Sequence, residues 1–463
     1  MWEVRNEALV VTSLLVILGS ILWYKLKVSN GAPPLPPGPI SLPIVGYLPF
    51  VSPDFHTQLA NMAQTYGPIF KFKLGSKLHI VVNTLELAKE VVRDQDEIFS
   101  NRDKSVAASV LTKGGQDIAF SDNNANWRKL RKISVHEMLS TKSLLATMSV
   151  RHEEVTKTVK NVFGKIGTKV SMRTIAFATE TSVLSRTIWE RVARDMEKQR
   201  EELHKLFATI VEDRIKSNLK ISQDEGENDF LQILLNHKDE KDGTTLNLHQ
   251  IQLLLLDIMI AGTETTASTI EWAMASIIEN PNIMKKVQDE LAEIVGLNNM
   301  LEEYHLPKLQ YLDATIKETL RLFPTVPFLL PRSPSKTCTV GGYTVPKGCT
   351  TLVNVWSIQR DARYWDNPLE FNPDRFLANN KFDFKGTNVL FMPFGSGRRL
   401  CPGVPLAEKM LMLTVGSLMH AFDWSFPKDE KHDLKEIWCF AVKKETPLIV
   451  IPHQRLPDAS LYM

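Results

Sequence analysis

Cysteine is scarce: the 463 residues contain four, at positions 338, 349, 401 and 439. No CxxC pair and no Cys/His group at zinc spacing occurs, which excludes a disulfide framework and a structural zinc site and points to a main domain facing a reducing compartment. An excess of either charge is also missing. With 55 Lys and Arg against 53 Asp and Glu, the chain carries no polyanion-binding signal, and nucleic acid is not an expected partner. Internal repeats and long low-complexity tracts are absent. What is left is length enough for one large domain or two to three ordinary ones.

Only one apolar run is long enough to matter. Residues 8–24 are interrupted by Thr12, Ser13, Gly19 and Ser20 alone, which just suffices to cross a bilayer. Residues 1–30 are therefore expected to be an N-terminal membrane anchor. A cleaved signal peptide is the rival reading, opposed by Glu3 and Glu7 before the run, Lys25 and Lys27 after it, and a weak cleavage site. Basic residues on the C-terminal side put the rest of the chain in the cytosol. Residues 31–42 hold Pro33, Pro34, Pro36, Pro37 and Pro39, a stiff hinge or an ordinary linker. The remaining 43–463 form the main domain.

Along that domain, alternation over 70–82 around Gly75-Ser76-Lys77 predicts a hairpin. Trp127 and Arg131 stand at i, i+4 on one helix face, beside a basic stripe of Arg128 and Lys132. Helical pattern continues through 143–220, with a charged stretch at 196–214 and polar loops at 222–226 and 238–245. A long helix is expected over Leu248–Glu279, stopped by Asn280-Pro281. Its centre, Ala261-Gly-Thr-Glu-Thr-Thr266, holds poor helix formers. Small residues there allow either a close helix crossing or a flat ligand, and a hydroxyl beside a carboxylate can relay protons. Glu318 and Arg321 share a face at i, i+3, and Arg375 lies between aromatics in Phe371-Asn-Pro-Asp-Arg-Phe376, which suggests a buried Glu-Arg-Arg network. Residues 343–348, 350–358 and 448–451 have strand composition. The fold class is mainly α with a smaller β subdomain, behind a single N-terminal transmembrane helix.

The most concentrated signal is Phe391-Met-Pro-Phe394-Gly395-Ser-Gly397-Arg398-Arg399-Leu-Cys401-Pro-Gly403, which runs into an apolar helical stretch. Cys401 is a candidate metal ligand, with Gly395, Gly397 and Gly403 letting the backbone lie close to a flat macrocycle. Entering the first turn of a helix would favour thiolate over thiol. An inert buried thiol is the other reading of a lone cysteine.

Taken together these motifs resemble the cytochrome P-450 superfamily, the haem-thiolate monooxygenases. Phe394, Gly397, Arg399, Cys401 and Gly403 fit its F-x-x-G-x-R-x-C-x-G pattern at every defined position. Glu318 and Arg321 match E-x-x-R; Pro373, Arg375 and Phe376 match P-x-R-F; Ala261 to Thr266 match A-G-x-E-T-T; Trp127 and Arg131 match W-x-x-x-R. The resemblance implies haem b with Cys401 as the axial iron ligand, and propionates held by Trp127, Arg131, Arg332 and Arg399. It further implies Thr265 as hydrogen-bonding residue for oxygen activation (Thr266 as the alternative), Glu264 as proton-relay acid, and a structural role for Glu318, Arg321 and Arg375. It implies O2, electrons from NADPH through NADPH-cytochrome P-450 reductase docking at Arg128, Lys129 and Lys132, and the endoplasmic reticulum membrane as location. The wording around the motifs is similar to the plant-type branch acting on terpenoids, flavonoids or other phenylpropanoids. Pocket walls are expected at 105–120, 256–261, 325–330 and Phe440-Ala441, and the apolar Val326, Phe328, Leu329 and Leu330 suit a hydrophobic small-molecule substrate.

One departure stands out. Between Arg131 and Ala261 the chain is several tens of residues shorter than the family pattern, with the shortfall near 189–191, where the helix and loop that roof the pocket would fall. An internal deletion is expected there. It keeps a non-catalytic haem-binding membrane protein in view beside the monooxygenase. A haem-thiolate isomerase or dehydratase is the third reading, and the intact Glu264-Thr265 pair argues against it.

Overall fold

A computed structural model describes residues 33–189, 230–238, 245–377, 382–430, 432–439 and 441–463, together with Val16 and Gly19. The expected anchor, the 189–191 junction beyond Trp189, the charged 196–214 stretch, the 222–226 loop and Phe440 lie outside the described residues.

Helices dominate. In chain order the first half contains α1 (Phe55–Tyr66), the hairpin β1 (Ile69–Leu74) and β2 (Lys77–Val82), α2 (Leu85–Lys89), β3 (Asn101–Arg102), α3 (Val106–Leu111), α4 (Ala125–Ile133), α5 (Thr141–Ala146), α6 (Met148–Phe163), β4 (Val170–Ser171), α7 (Met172–Trp189) and α8 (Phe230–Asn236). The second half contains α9 (Leu248–Glu279), α10 (Pro281–Ile294), α11 (Gln310–Leu322), β5 (Arg332–Ser333), β6 (Cys338–Val340), β7 (Tyr343–Val345), β8 (Thr350–Val353), α12 (Val355–Ile358), α13 (Asp374–Leu377), α14 (Val404–Ala421) and β9 (Phe422–Ser425), then β10 (Glu436–Trp438), β11 (Val442–Lys444) and β12 (Ile449–Gln454). Strands β1-β2-β8-β5-β3 form the largest sheet, with β2 and β8 parallel and the other pairs antiparallel. Smaller sheets are β4-β12-β9, β10-β11 and β6-β7.

α9 is the axis of the helical part. Asn247 and Gln250 close a capping box at its start, and Pro281, at the first position of α10, ends it. By length and composition it alone among the described residues could cross a membrane, but every residue from Thr266 to Ile278 is buried inside the protein. It packs in one core with α7, α10, α11 and α14, through Leu184, Ile270, Ala273, Ile277, Leu291, Leu312 and Leu413. α14 is buried from Met410 to Ala421, which is why both helices read as continuously apolar instead of striped. A second core, Phe55, Phe70, Phe72, Val81 and Leu352 among others, joins α1 to the large sheet.

The hairpin over 70–82 forms as expected, turning at Gly75 with φ 58°. Three expectations need correction. The helical pattern over 143–189 is broken between Phe163 and Met172, because Gly167 takes φ 73° and β4 leaves the helix to pair with β12. The strand expected over 350–358 stops at Val353, since the Asn354 side chain accepts the Ser357 amide and caps α12. Phe328 is not a pocket wall: it is 5% exposed and sits edge-on to Phe55 in the second core.

Candidate functional site

The cysteine loop is shaped by two left-handed glycines. Gly395 has φ 79° and Gly397 φ 68°, and a Cβ on Gly397 would lie 2.4 Å from the Val92 carbonyl oxygen, so both conformation and space demand glycine there. Gly403 differs from expectation, with φ −78° in the ordinary right-handed region as the N-cap of α14. Cys401 accordingly precedes the helix and is not in its first turn. Its sulfur accepts the Gly403 amide at 3.3 Å, and its own amide donates to Phe394 O at 3.0 Å. Phe394 is fixed edge-on against Phe384, ring centroids 5.4 Å apart. Burial pushes the Cys401 thiol up, opposed by the Gly403 amide, Arg131 and the Val404 amide. Local helix electrostatics therefore do not win alone in this environment; a metal cation would be needed to hold the thiolate.

Around this loop four guanidinium groups converge from four parts of the chain. Arg131 on α4 donates to Leu400 O at 2.6 Å, one residue from Cys401. Arg399 donates to Ser100 O at 2.6 Å, Ser121 O at 2.5 Å and Ile118 O at 3.4 Å, and lies 4.0 Å from the centroid of the Trp127 ring. Arg332 on β5 donates to Phe99 O at 3.3 Å, while its Nε is buried without a partner. Arg102 on β3 donates to Ala119 O at 3.2 Å and Leu330 O at 2.8 Å. Trp127 joins them through Nε1 to Ile118 O at 3.1 Å. Sequence reading did not find Arg102; a two-residue strand has no periodicity, and only its pairing with Arg332 across β3 and β5 brings it in.

None of the four has an ion-pair partner among the described residues. Desolvation first, and mutual repulsion second, push Arg399 down to about 9 and Arg102 well below the usual arginine range; burial takes Arg332 to about 10. Carbonyl oxygens satisfy hydrogen bonds but do not cancel charge, and Asp96, Asp117 and Asp122 act on the cluster without forming an ion pair, so positive charge is left over to receive a dianion. A thiol beside a dianion receptor is the donor set that a dicarboxylate porphyrin requires, and the residues present fit haem.

The second expected network also forms, with a carboxylate shared between its two guanidinium groups. Glu318 receives Arg321 Nε at 2.6 Å and Nη2 at 2.8 Å, and Arg375 Nε at 3.0 Å. Arg321 spends its other hydrogens on Gln359 O, Pro368 O and Glu370 O.

On α9 the outcome is mixed. The helix runs unbroken through 261–266. Gly262 is explained by the crossing with α7, since a Cβ there would lie 2.8 Å from Leu184 Cδ1. Thr265 is half-buried and its hydroxyl donates to Ala261 O at 2.5 Å. Glu264 Oε1 lies 3.3 Å from Lys443 Nζ on β11. Neither has a hydrogen bond to the cysteine loop or the guanidinium cluster. Of the expected pocket walls, Leu329 would be in contact with a Cβ on Gly395, at 3.7 Å, and the 256–261 and 105–120 walls meet where Asp257, not singled out in the sequence, accepts the Ile118 amide at 2.7 Å.

A family model for cytochrome P-450 matches residues 36–191 and, in a second overlapping match, 178–451. The chain is 34% identical to (S)-N-methylcoclaurine 3'-hydroxylase isozyme 2 of Eschscholzia californica over 500 aligned positions, covering 97% of this chain and all of that one. Identity is also 34% to a flavonoid 3'-monooxygenase of Crocosmia x crocosmiiflora, with 95% and 97% covered, and 35% to tabersonine 16-hydroxylase 1 of Catharanthus roseus, with 90% and 91% covered. A zebra fish cytochrome P-450 solved with progesterone superposes with a TM-score of 0.75 at 26% identity, over 86% of this chain and 99% of that one.

Proposed function

The chain belongs to the cytochrome P-450 family and is a haem-dependent monooxygenase, and we propose that it holds haem b through Cys401 and hydroxylates a hydrophobic, ring-bearing secondary metabolite. The observation that carries the haem reading is the buried guanidinium cluster beside the Cys401 loop, whose four arginines have no ion pair among the described residues. The names of the relatives, hydroxylases of alkaloids and flavonoids, support an aromatic or terpenoid-like substrate.

When bound, haem ligated by a thiolate supplies the cleavage of dioxygen that makes hydroxylation possible. The chain's own residues do the rest. Arg102, Arg131, Arg332 and Arg399, with Trp127, would hold the two propionates and so orient the haem toward the Cys401 loop. The Gly403 amide on the sulfur orients the ligand and tempers its electron donation. Gly395 and Gly397 keep the loop thin enough for that approach. Thr265 would serve oxygen activation with its hydroxyl, whose proton is held on the Ala261 carbonyl. Glu264 and Lys443 are each about a third exposed, so protons reach Glu264 Oε1 from water and pass inward. Glu318, Arg321 and Arg375 hold the helix and loop behind the haem side.

Electrons would come from NADPH through its reductase, docked on the face bearing Arg128, Lys129 and Lys132, with residues 1–30 anchoring the chain in the endoplasmic reticulum membrane and 31–42 as spacer. We also read the chain as shortened beside 189–191. Two features support this: the family match divides where its two parts overlap, at 178–191, and the 500 positions aligned with the Eschscholzia relative exceed the 463 residues here, so at least 37 of them have no residue in this chain. A native transcript coding for this junction unchanged would make the shortening a property of the protein and not of its gene model.

The spectrum of the reduced, carbon-monoxide-bound protein tests the central assignment. Wild-type protein should give the thiolate signature and Cys401→Ser should not; a wild-type spectrum without it sinks Cys401 as ligand.

A further inference from the structure

Residues 117–121 form a loop between α9 and the guanidinium cluster, and its peptide groups serve both sides. Towards the cluster, Ile118 O accepts from Trp127 Nε1 and Arg399 Nη1, Ala119 O from Arg102 Nε, and Ser121 O from Arg399 Nη2. Towards α9, the Ile118 amide donates to Asp257 Oδ2 at 2.7 Å. One residue, Ile118, therefore connects an acid on the long helix, through its amide, to an arginine of the cradle, through its carbonyl. Asp117, which precedes the Ile118 amide that Asp257 accepts, is 1% exposed; its Oδ1 accepts the Phe120 amide at 3.1 Å while Oδ2 is buried without a hydrogen-bond partner.

Two adjoining buried carboxyls cannot both ionise cheaply. Burial is the first cause of a raised proton affinity at both; Asp117 adds to it at Asp257, and the Ile118 and Ala119 amides oppose it there. The cations facing Asp117 are Arg399 and Arg102. They favour its ionisation, so Asp257 is the acid that keeps the proton.

We propose that Asp257 latches the 117–121 loop onto α9 through the Ile118 amide, with Asp117 buried at that same peptide, so that the loop's carbonyls stay in place for the arginines that hold the haem. They are positioning residues, acting through the loop, and the inference rests on the reading of the guanidinium cluster as the propionate site. The sign follows from linkage. A carboxyl whose folded-state proton affinity is raised stabilises fully below the ordinary carboxylate range, and that contribution is lost as pH rises through the raised value. The latch therefore weakens towards alkaline pH.

The test is haem transfer from the full-length, haem-loaded chain to apomyoglobin, followed by absorbance between about pH 6 and about pH 9, with hydrogen exchange at the Ile118, Ala119 and Phe120 amides. Wild type should lose haem faster as pH rises, by at most about tenfold per pH unit for one proton. Asp257→Asn keeps an acceptor for Ile118 and offers Asp117 an N–H without any titration, so its rate should lose that pH dependence. Asp257→Ala removes the acceptor and should lose haem roughly tenfold faster throughout. A wild-type pH slope in Asp257→Asn, or wild-type retention in Asp257→Ala, overturns the latch. Should Asp257→Ala not fold, Asp257→Asn and the exchange data decide. If the chain takes up no haem, the propionate reading fails, while amide protection that falls with pH in wild type but not in Asp257→Asn still supports the latch, and equal protection overturns it.

Discussion

Two sets of buried arginines stand on either side of the cysteine loop, and they treat charge in opposite ways. Arg321 is fully buried but meets Glu318 in a two-point ion pair, with Arg375 closing the triad and backbone carbonyls taking the remaining hydrogens. Arg332 is 2% exposed, yet it has one hydrogen bond at 3.3 Å, an unpartnered Nε and two cationic neighbours in Arg102 and Arg399, with Asp96 acting on it only from beyond ion-pair distance. The first set is complete within the protein. The second is complete only with an anion from outside, and this difference separates structure from ligand binding without reference to motif.

The comparison breaks most visibly at Arg321. Arg321→Met leaves the Glu318 carboxylate buried with only Arg375 and the Asn372 amide as partners, and a half-broken buried pair costs about 3–5 kcal/mol. Urea or thermal melts of the haem-free protein should show a loss of that order, and haem incorporation should fail with it. A loss below about 1 kcal/mol would mean that the network is not the structural element its geometry describes.

Arg332→Met should have the opposite sign in the haem-free protein. It replaces a buried charge without an ion pair, and an unsatisfied Nε, by a side chain of similar length, so stability should rise by about 1–2 kcal/mol. Haem affinity should fall at the same time, by roughly ten- to a hundredfold for one lost charge-assisted contact. Melts and haem titration of the same preparation measure both. A variant that loses stability and affinity together would place Arg332 with Arg321 and remove the distinction.

How much of this was legible in the sequence follows the same division. Features that depend on local rules were readable: the Asn280-Pro281 stop of α9, the hairpin at Gly75, the left-handed Gly395 and Gly397, and Glu318 with Arg321 one helical turn apart. The structure also brings Trp127, Arg131, Arg332 and Arg399 into one cluster with the Cys401 loop, although they are spread over more than half the chain. What could not be read was set by contacts between distant segments. Arg102 depends on a two-residue pairing with β5, and Asp257 on a loop more than a hundred residues earlier. Gly262 left a helix crossing and a flat ligand both open, and only the approach of Leu184 from α7 decides for the crossing. The strand composition of 350–358 was overruled by one cap, Asn354.

A third class of cation sharpens the contrast from the other end. Arg128 and Lys132 share α4 with Arg131 but point outward and are exposed. Neither desolvation nor a buried partner is at stake, so Arg128→Gln with Lys132→Gln should shift stability by no more than about 0.5 kcal/mol and leave haem retention unchanged. Their charge can act only at a distance, on an approaching partner, where exposed cations change association rate and its salt dependence more than affinity. Reduction of the iron by the reductase, followed at low and high ionic strength, should slow in the double variant and lose part of its salt dependence. If rate and salt dependence both match wild type, this face of α4 is only solvated, and the functional arginines of the helix reduce to Arg131.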